Sequence, residues 1–503
     1  MRYLLAHDIG TSGDKATLFS EDGKRISSAL SEYPLIQEGD IAEQDARDWW
    51  RAFCSSTRKL LRESGVDPSQ IAAVSFSGQM MGALAVDGQG EALRNSLIWA
   101  DQRAQKEVEE IRNRLSDQDF YQIAGHRNSP SYGIQKVLWI KRNEPEIYEK
   151  ARAFLNAKDF LVMKLTGRFV TDPSDANGMD AIDLRTLQWS EKILDAAEVS
   201  ADKLPEIIPS ASVVGTILPE AVEASGLSPD TLVVMGAGDG IAANIGAGSV
   251  SPGTGYLCLG TSAWASCTKE APYFDPDQRS VTWAHAVPGC YAPNATMQYC
   301  CGAYDWFRTV MTQEETRAAR ETGRSVHEIL SEEAALSAPG SAGVIFMPQL
   351  LGERAPYWNP NVRGAFLGLS GTTAREDLVR AVFEGLSCHL SLLVDLVNSD
   401  SSLSEITLIG GGAENDFWAQ MISDMLGLPV VIPEETREAN SMGAAVIAGV
   451  GAGLFPDFSG ITRFLHEKKR FFPHSGLHEF YRDKIIRYQE CFRALEQLSR
   501  KTK

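Results

Sequence analysis

The chain has 503 residues, 44% of them hydrophobic and 23% charged, an ordinary globular composition with core volume for two large domains. Its formal charge of -18 argues against a polyanionic partner, whether nucleic acid or an acidic membrane surface. The sequence opens without an apolar stretch of signal-peptide length, its longest apolar helical run carries Glu384, His389 and Asp395, and its eight cysteines form no CxxC pair or metal-ligand spacing, so the expectation is a cytoplasmic protein with reduced thiols and no membrane span.

Residues 3 to 9 read as a strand, Gly10-Thr11-Ser12-Gly13 as a turn, and Lys15 to Phe19 and Arg25 to Leu30 as further strands of a hairpin. Such a turn offers backbone amides, the hydroxyls of Thr11 and Ser12 and the ammonium of Lys15 to phosphates, although taken alone the pattern is more often a plain hairpin. Asp8, just before the turn, suits Mg2+, which takes one or two carboxylates plus phosphate oxygens. Asp45 to Glu63 has the spacing of an amphipathic helix, and Ile71 to Ser77 reads as a strand. The loops Gly78 to Gly82 and Trp99 to Arg103 fall at strand ends, where binding residues on α/β folds gather. Residues 117 to 230 read as mainly helical, with Thr171 to Gly178 a capping and turn region of structural use alone.

Thr231 to Met235 predicts a buried strand that runs into the glycine-rich stretch Met235 to Ser249, with Asp239 at its centre. A carboxylate held there among small residues can meet another molecule; a tight turn with a solvated Asp is the alternative. The Gly-Thr-Ser of residues 10 to 12 recurs at 260 to 262 inside a second hairpin, half a chain on, which suggests two related domains. Ile345 to Pro360 reads as a long loop, Ala374 to Asn398 as a buried helix, and Ile406 to Trp418 as strand, glycine turn and helix start. That glycine turn either admits a nucleotide or packs a helix on a sheet. Ser441 to Gly449 is a small-residue helix, and the tail ends in a helix with Tyr481, Ile485, Tyr488, Phe492, Leu495 and Leu498 on one stripe, a docking helix that packs in cis or across a homodimer. Dinucleotide, Walker A, esterase-elbow and zincin motifs are absent.

Together Asp8-Ile-Gly-Thr-Ser12, Ser77-Gly-Gln-Met80, Trp99-x-Asp-x-Arg103, Gly236-x-Gly-Asp-Gly240, Leu259-Gly-Thr-Ser262, Gly352-Glu-Arg354, Gly410-Gly-Gly-Ala413 with Asn415 and Trp418, and Gly443-Ala-Ala445 resemble the FGGY carbohydrate kinase family, most closely its xylulokinases and related pentulose kinases. The resemblance implies an α/β fold of two actin- and hexokinase-like (ribonuclease H-like) domains, each a mixed β-sheet flanked by helices, with a cleft between them. Residues 1–248 would bind the sugar, and 249–503 would bind the nucleotide and carry the docking helix. It implies ATP-dependent phosphorylation of a sugar hydroxyl, with Asp239 as base in its ordinary ionised form and Mg2+ near Asp8. Thr11, Ser12, Lys15, Gly260 and Thr261 would surround the phosphates, and Gly411, Gly412 and Asn415 would border the nucleotide. Gln79, Met80, Met81, Trp99 and Trp264 would border the sugar. Two positions depart from the xylulokinase pattern: Met81 stands where those enzymes carry His, and Gly240 where they carry Asn. Both changes remove a polar sugar contact, which leaves D-xylulose, another ketose, a polyol and gluconate all open.

Overall fold

Tyr3–Ile9 (β1) and Gly13–Ser20 (β2) are joined by the Gly-Thr-Ser turn and pair antiparallel, and Arg25–Glu32 (β3) extends the hairpin. In this computed structural model, which describes residues 1–500 apart from the Arg500 side chain, these strands form one edge of a seven-stranded sheet. Ala46–Ser64 (α1) follows, started by the Asp45 carboxylate accepting from the Arg47 amide and stopped by Gly65 at φ 66°. Ile71–Gly78 (β4) then pairs parallel to β1. Gly133–Asn143 (α2), Ala157–Thr166 (α3) and the short Pro173–Gly178 (α4) lead to Val213–Thr216 (β5), Leu232–Val234 (β6) and Ala237–Gly238 (β7). The sheet runs β3-β2-β1-β4-β6-β5, with β7 alongside β4.

The helix Asp239–Gly246 (α5) closes this half. The second sheet is built from Gly255–Leu259 (β8), Ala263–Cys267 (β9), Val281–Ala284 (β10), Tyr291–Met297 (β11), Ile406–Ile409 (β12), Val430–Pro433 (β13) and Glu467–Phe471 (β14), in the order β10-β11-β9-β8-β12-β13-β14. From β11 to β14 it repeats the first sheet's order and strand directions: an antiparallel hairpin, two parallel neighbours, then an antiparallel edge. The duplicated Gly-Thr-Ser turns therefore mark a duplicated fold. Helices cover both sheets: α1 and α3 pack on the outer face of the first through Trp49, Phe53, Phe160 and Leu161. Arg375–Val397 (α7) and Asp416–Leu426 (α8) do the same for the second through Phe383, Leu386 and Trp418.

Between the sheets α5 crosses Ala439–Gly451 (α9) at backbone contact. A methyl group added at Gly246 would lie 1.8 Å from the Ala439 carbonyl oxygen, and one at Gly443 1.9 Å from that of Ala242, so only glycine fits at either crossing point. Each helix reaches across to the opposite half. Met442, Ala445 and Val446 of α9 cluster with Leu4, Ala6 and Ala73 of the first sheet, while Ala243 of α5 and Ala247, which caps it, cluster with Tyr256, Cys258 and Ile409 of the second; Ile241 and Ile245 of α5 stay with the first.

The tail helix Leu477–Arg500 (α10) packs in cis on the second core through Tyr481, Tyr488 and Phe492, whereas Leu498, at the end of its apolar stripe, is exposed. The stretch expected to be a long loop after Ile345 begins instead as a strand, Ile345–Met347, paired with Ala365–Leu367. No helix among the described residues is long and apolar enough to cross a membrane.

Candidate active site

Asp239 is the first residue of α5, preceded by Gly238 in extended conformation, so its carboxylate stands at the junction of β7 and the helix. Its Oδ1 accepts from the Gly240 amide at 2.7 Å. Burial pushes the carboxyl up to about 7, and the nearby charge of Asp8 adds to the shift, so the ordinary acidity expected from sequence gives way to a group poised near neutrality. From the second half, Trp264 Nε1 donates to Tyr256 Oη (2.8 Å), and Tyr256 Oη donates to the Gly240 carbonyl (3.2 Å). This chain of bonds brings the second hairpin against the turn that carries Asp239. Tyr256 carried no signal in the sequence beyond an apolar strand position.

Asp8 lies at the end of β1, where its Oδ1 accepts from Ser77 Oγ (2.7 Å) and Asn440 Nδ2 (3.2 Å), and burial raises its pKa. Lys15 does not extend freely over the turn: its ammonium pairs with Glu438 at 3.0 Å, on the segment that leads into α9. Glu438 and Asn440 were missed in the sequence because they lie more than 400 positions from the residues they touch. Thr11 Oγ1 accepts from Trp99 Nε1 (2.9 Å), which ties the Gly-Thr-Ser turn to the second loop of the first half, and Ser12 is exposed beside it.

The loop after β4 lines the other side. Gln79 is turned inward, donating to Gln44 Oε1 at 2.7 Å, while its own Oε1 is buried without a partner. Met80 lies against Gly238, where an added methyl group would come within 2.5 Å of its sulfur. Met81 has φ 65°, and its carbonyl accepts from the buried Lys136 ammonium at 2.8 Å; the same ammonium bonds the carbonyls of Ile98 (2.7 Å) and Ser131 (2.5 Å). Two strand-end loops and the segment leading into α2 thus meet on one ammonium, whose pKa burial lowers to about 7. The next residue, Tyr132, stacks on His126 and lies near the Arg354 guanidinium of the second half. That guanidinium makes no hydrogen bond or ion pair among the described residues.

In the second half a cavity of about 910 Å³ is lined by Gly260, Thr261, Gly411, Gly412 and Asn415 together with Tyr304, Ser331 and Arg437. Asn415 caps α8, accepting from the Trp418 amide at 3.1 Å, and donates to Ser331 Oγ at 2.9 Å. Gly411 faces open space, with only Arg437 within reach of an added methyl group, whereas at Gly412 one would lie 2.8 Å from Leu259 Cβ and 3.1 Å from the Trp418 ring. At Gly412 the turn packs the helix, as one of its two readings has it, while Gly411 leaves the cavity open beside it. Gly260 and Thr261 are fixed by their carbonyls, which accept from the Cys301 amide (3.0 Å) and the Cys300 amide (2.8 Å) at the start of Cys301–Met311 (α6).

The FGGY family of carbohydrate kinases matches this chain twice, its N-terminal domain over residues 3–246 and its C-terminal domain over residues 255–452. The chain belongs to that family. Among relatives of this FGGY kinase, a gluconokinase of Bacillus licheniformis is 30% identical over 98% of the chain and 96% of its own length. A xylulose kinase of Bacillus subtilis (strain 168) is 29% identical over 99% and 98%. The crystal structure of a ligand-bound xylulose kinase from Lactobacillus acidophilus superposes with a TM-score of 0.92 at 28% identity, covering 100% of both chains. The two-domain α/β fold with its mixed, helix-flanked sheets is the fold of these sugar kinases.

Proposed function

We propose that this FGGY kinase transfers the γ-phosphoryl group of ATP to a hydroxyl of a pentulose such as D-xylulose, with Asp239 as the base. The observation that carries the reading is the convergence of Asp239 and Asp8 with the two Gly-Thr-Ser hairpins, which the Trp264–Tyr256–Gly240 chain joins across the cleft. Asp239 takes the proton of the acceptor hydroxyl as its oxygen bonds to the γ-phosphorus and the bond to the ADP oxygen breaks. Residues 1–248 hold the sugar against Gln79, Met80, Met81, Trp99 and Trp264, the last reaching over from the other half. Residues 249–503 hold the nucleotide in the cavity bordered by Gly260, Thr261, Gly411, Gly412 and Asn415. Thr11 and Ser12 face the phosphates from the first half, and Lys15 joins them by leaving Glu438. Asp8 is a half-buried carboxylate whose side-chain hydrogen-bond partners among the described residues are the neutral Ser77 and Asn440, a fit for Mg2+, which would offset charge on the phosphates. We place the reaction in the cytoplasm, where ATP is the ready phosphoryl donor and the eight free cysteines stay reduced.

Gluconate is the second reading. Met81 offers a ketose no polar contact, and the unpaired Arg354 guanidinium beside Tyr132 suits a carboxylate, which it can hold with two parallel hydrogen bonds. A coupled assay of ADP release over D-xylulose, other pentuloses, polyols and D-gluconate decides between the two. In the same assay Asp239→Ala abolishes turnover while nucleotide still binds; near-normal turnover by that variant would remove Asp239 from its role.

A further inference from the structure

Beneath the turn that carries Asp239 lies a buried cluster of charge. The Lys158 ammonium contacts Asp159 Oδ1 at 2.7 Å, Asp172 Oδ1 at 2.8 Å and Asp175 Oδ2 at 3.0 Å, and all four side chains are shielded from solvent. One cation faces three carboxylates. Burial raises Asp159 and, further, Asp175; it also opposes the charge on Lys158, but the three acidic neighbours outweigh it and hold the ammonium well above its usual range. A cluster this costly to bury is a poor way to add stability, because apolar side chains of the same volume serve as well or better. The residues it touches give another reason for it.

Two hydrogen-bonded arms leave the cluster. In the first, Asp172 Oδ2 accepts from Ser174 Oγ at 2.6 Å and from Ser210 Oγ at 2.8 Å. A carboxylate only accepts, so the Ser174 hydroxyl proton is committed to it, and its lone pair is turned to the Gly238 amide, which donates at 2.9 Å. Gly238 directly precedes Asp239 and pairs with Gly78, where an added methyl group would lie 3.0 Å from Lys158 Cβ. In the second arm, Asp159 Oδ2 accepts from the Asn156 amide (3.2 Å), the Asn156 side-chain NH2 donates to the Asp175 carbonyl (3.3 Å), and its oxygen accepts from the Gly82 amide at 3.0 Å. Gly82 directly follows Met81.

We infer that Lys158, Asp172 and Ser174 are positioning residues that set the Asp239 carboxylate, and that Asn156 is the branch of the same cluster that sets the Met81 loop. The inference rests on Asp239 being the base, but the bonds it depends on can be tested without turnover. The amide of Gly238, the residue before Asp239, has Ser174 as its side-chain partner, and that partner's geometry is dictated by a charge cluster drawn from α3, α4 and the residue that caps α4. The two arms separate by kinetics. The Ser174 arm acts on kcat, because misplacing a reacting group by an ångström costs up to about 100-fold. The Asn156 arm acts on the KM of the sugar.

Lys158→Met strips the only cation from three buried carboxylates and is expected to misfold, so the test uses Ser174→Ala and Asn156→Ala. In hydrogen exchange, Ser174→Ala is expected to speed exchange in the peptide over residues 235–242 by about tenfold, the worth of one buried hydrogen bond, with β1 peptides unchanged. Its kcat falls roughly 10- to 100-fold with nucleotide affinity retained. Asn156→Ala raises the sugar KM more than it lowers kcat. Unchanged exchange at 235–242 in Ser174→Ala, or a kcat equal to that of the unsubstituted enzyme, overturns the inference. If the unsubstituted chain phosphorylates nothing on the panel while Ser174→Ala still speeds exchange at 235–242, the proposed function is overturned and the positioning role stands.

Discussion

Asp239 is desolvated beside a second carboxylate, and both conditions favour its protonated form, whereas a base must begin ionised. With its pKa at about 7, the ionised fraction is full above that value and falls about tenfold for each pH unit below it. The acid limb of kcat/KM is therefore expected near pH 7, and a limb near 4 would show that the carboxylate is not desolvated in the working enzyme. The position of this residue was legible in sequence, because a strand ending in Gly-x-Gly-Asp-Gly is a local pattern; its acidity was not, because it depends on desolvation by the surrounding fold and on Asp8, some 230 positions away. Met81 allows a second test at this scale. Its φ of 65° is a conformation in which His is several-fold enriched over most side chains, so Met81→His can enter without backbone strain. We expect this variant to raise kcat/KM for D-xylulose relative to D-gluconate, as read from the acceptor assay with both substrates. An unchanged ratio means that the position does not select.

Secondary elements were legible where their signals are short-ranged. Asp45 at the start of α1, Gly65 at its end and the apolar stripe of α10 all act within a few turns of helix. The Lys158 cluster was not legible, because a charged residue flanked by Asp in a helix reads as a solvated face, and what makes it a buried hub is contact with Asp172 and Asp175 on another helix. The same limit hid His285, just past the end of β10. It is buried, accepts from the Val287 amide at 2.9 Å and is bonded to the Ser249 carbonyl at 3.1 Å, an arrangement that suits the neutral ring. Burial lowers its pKa to about 4, so the native state resists a proton that the unfolded chain takes up near 6.5. Stability from this group is complete above about 6.5 and is lost as pH falls towards 4, by on the order of 3 kcal/mol. His285→Gln supplies one donor and one acceptor without titrating. Urea unfolding at pH 7.5 and 4.5 should show a smaller loss of stability in the variant than in the parent, and equal losses would assign the acid sensitivity elsewhere.

At the scale of the molecule, the repeated Gly-Thr-Ser triplet announced a duplicated architecture, and the two sheets share their order and directions. What the triplet could not announce is that the halves are interleaved, since nothing local to Ala439–Gly451 says whose sheet it will cover. Residues 1–248 contain a whole first sheet but not the helix that lies on its inner face. Expressed alone, this fragment is expected to bind a hydrophobic dye and unfold without a cooperative transition, and mixing it with residues 249–503 is expected to restore one. A sharp calorimetric transition from 1–248 by itself would contradict the interleaving. The same geometry sets a timetable for synthesis. The covering helix begins 193 positions after α5 ends (439 less 246), which at 5 to 20 residues per second is a delay of roughly 10 to 40 s. Through that interval Leu4, Ala6, Ala73 and Val234 wait uncovered on a nascent chain, so chaperone capture at the ribosome is the stage at which a cell would first pay attention to this fold.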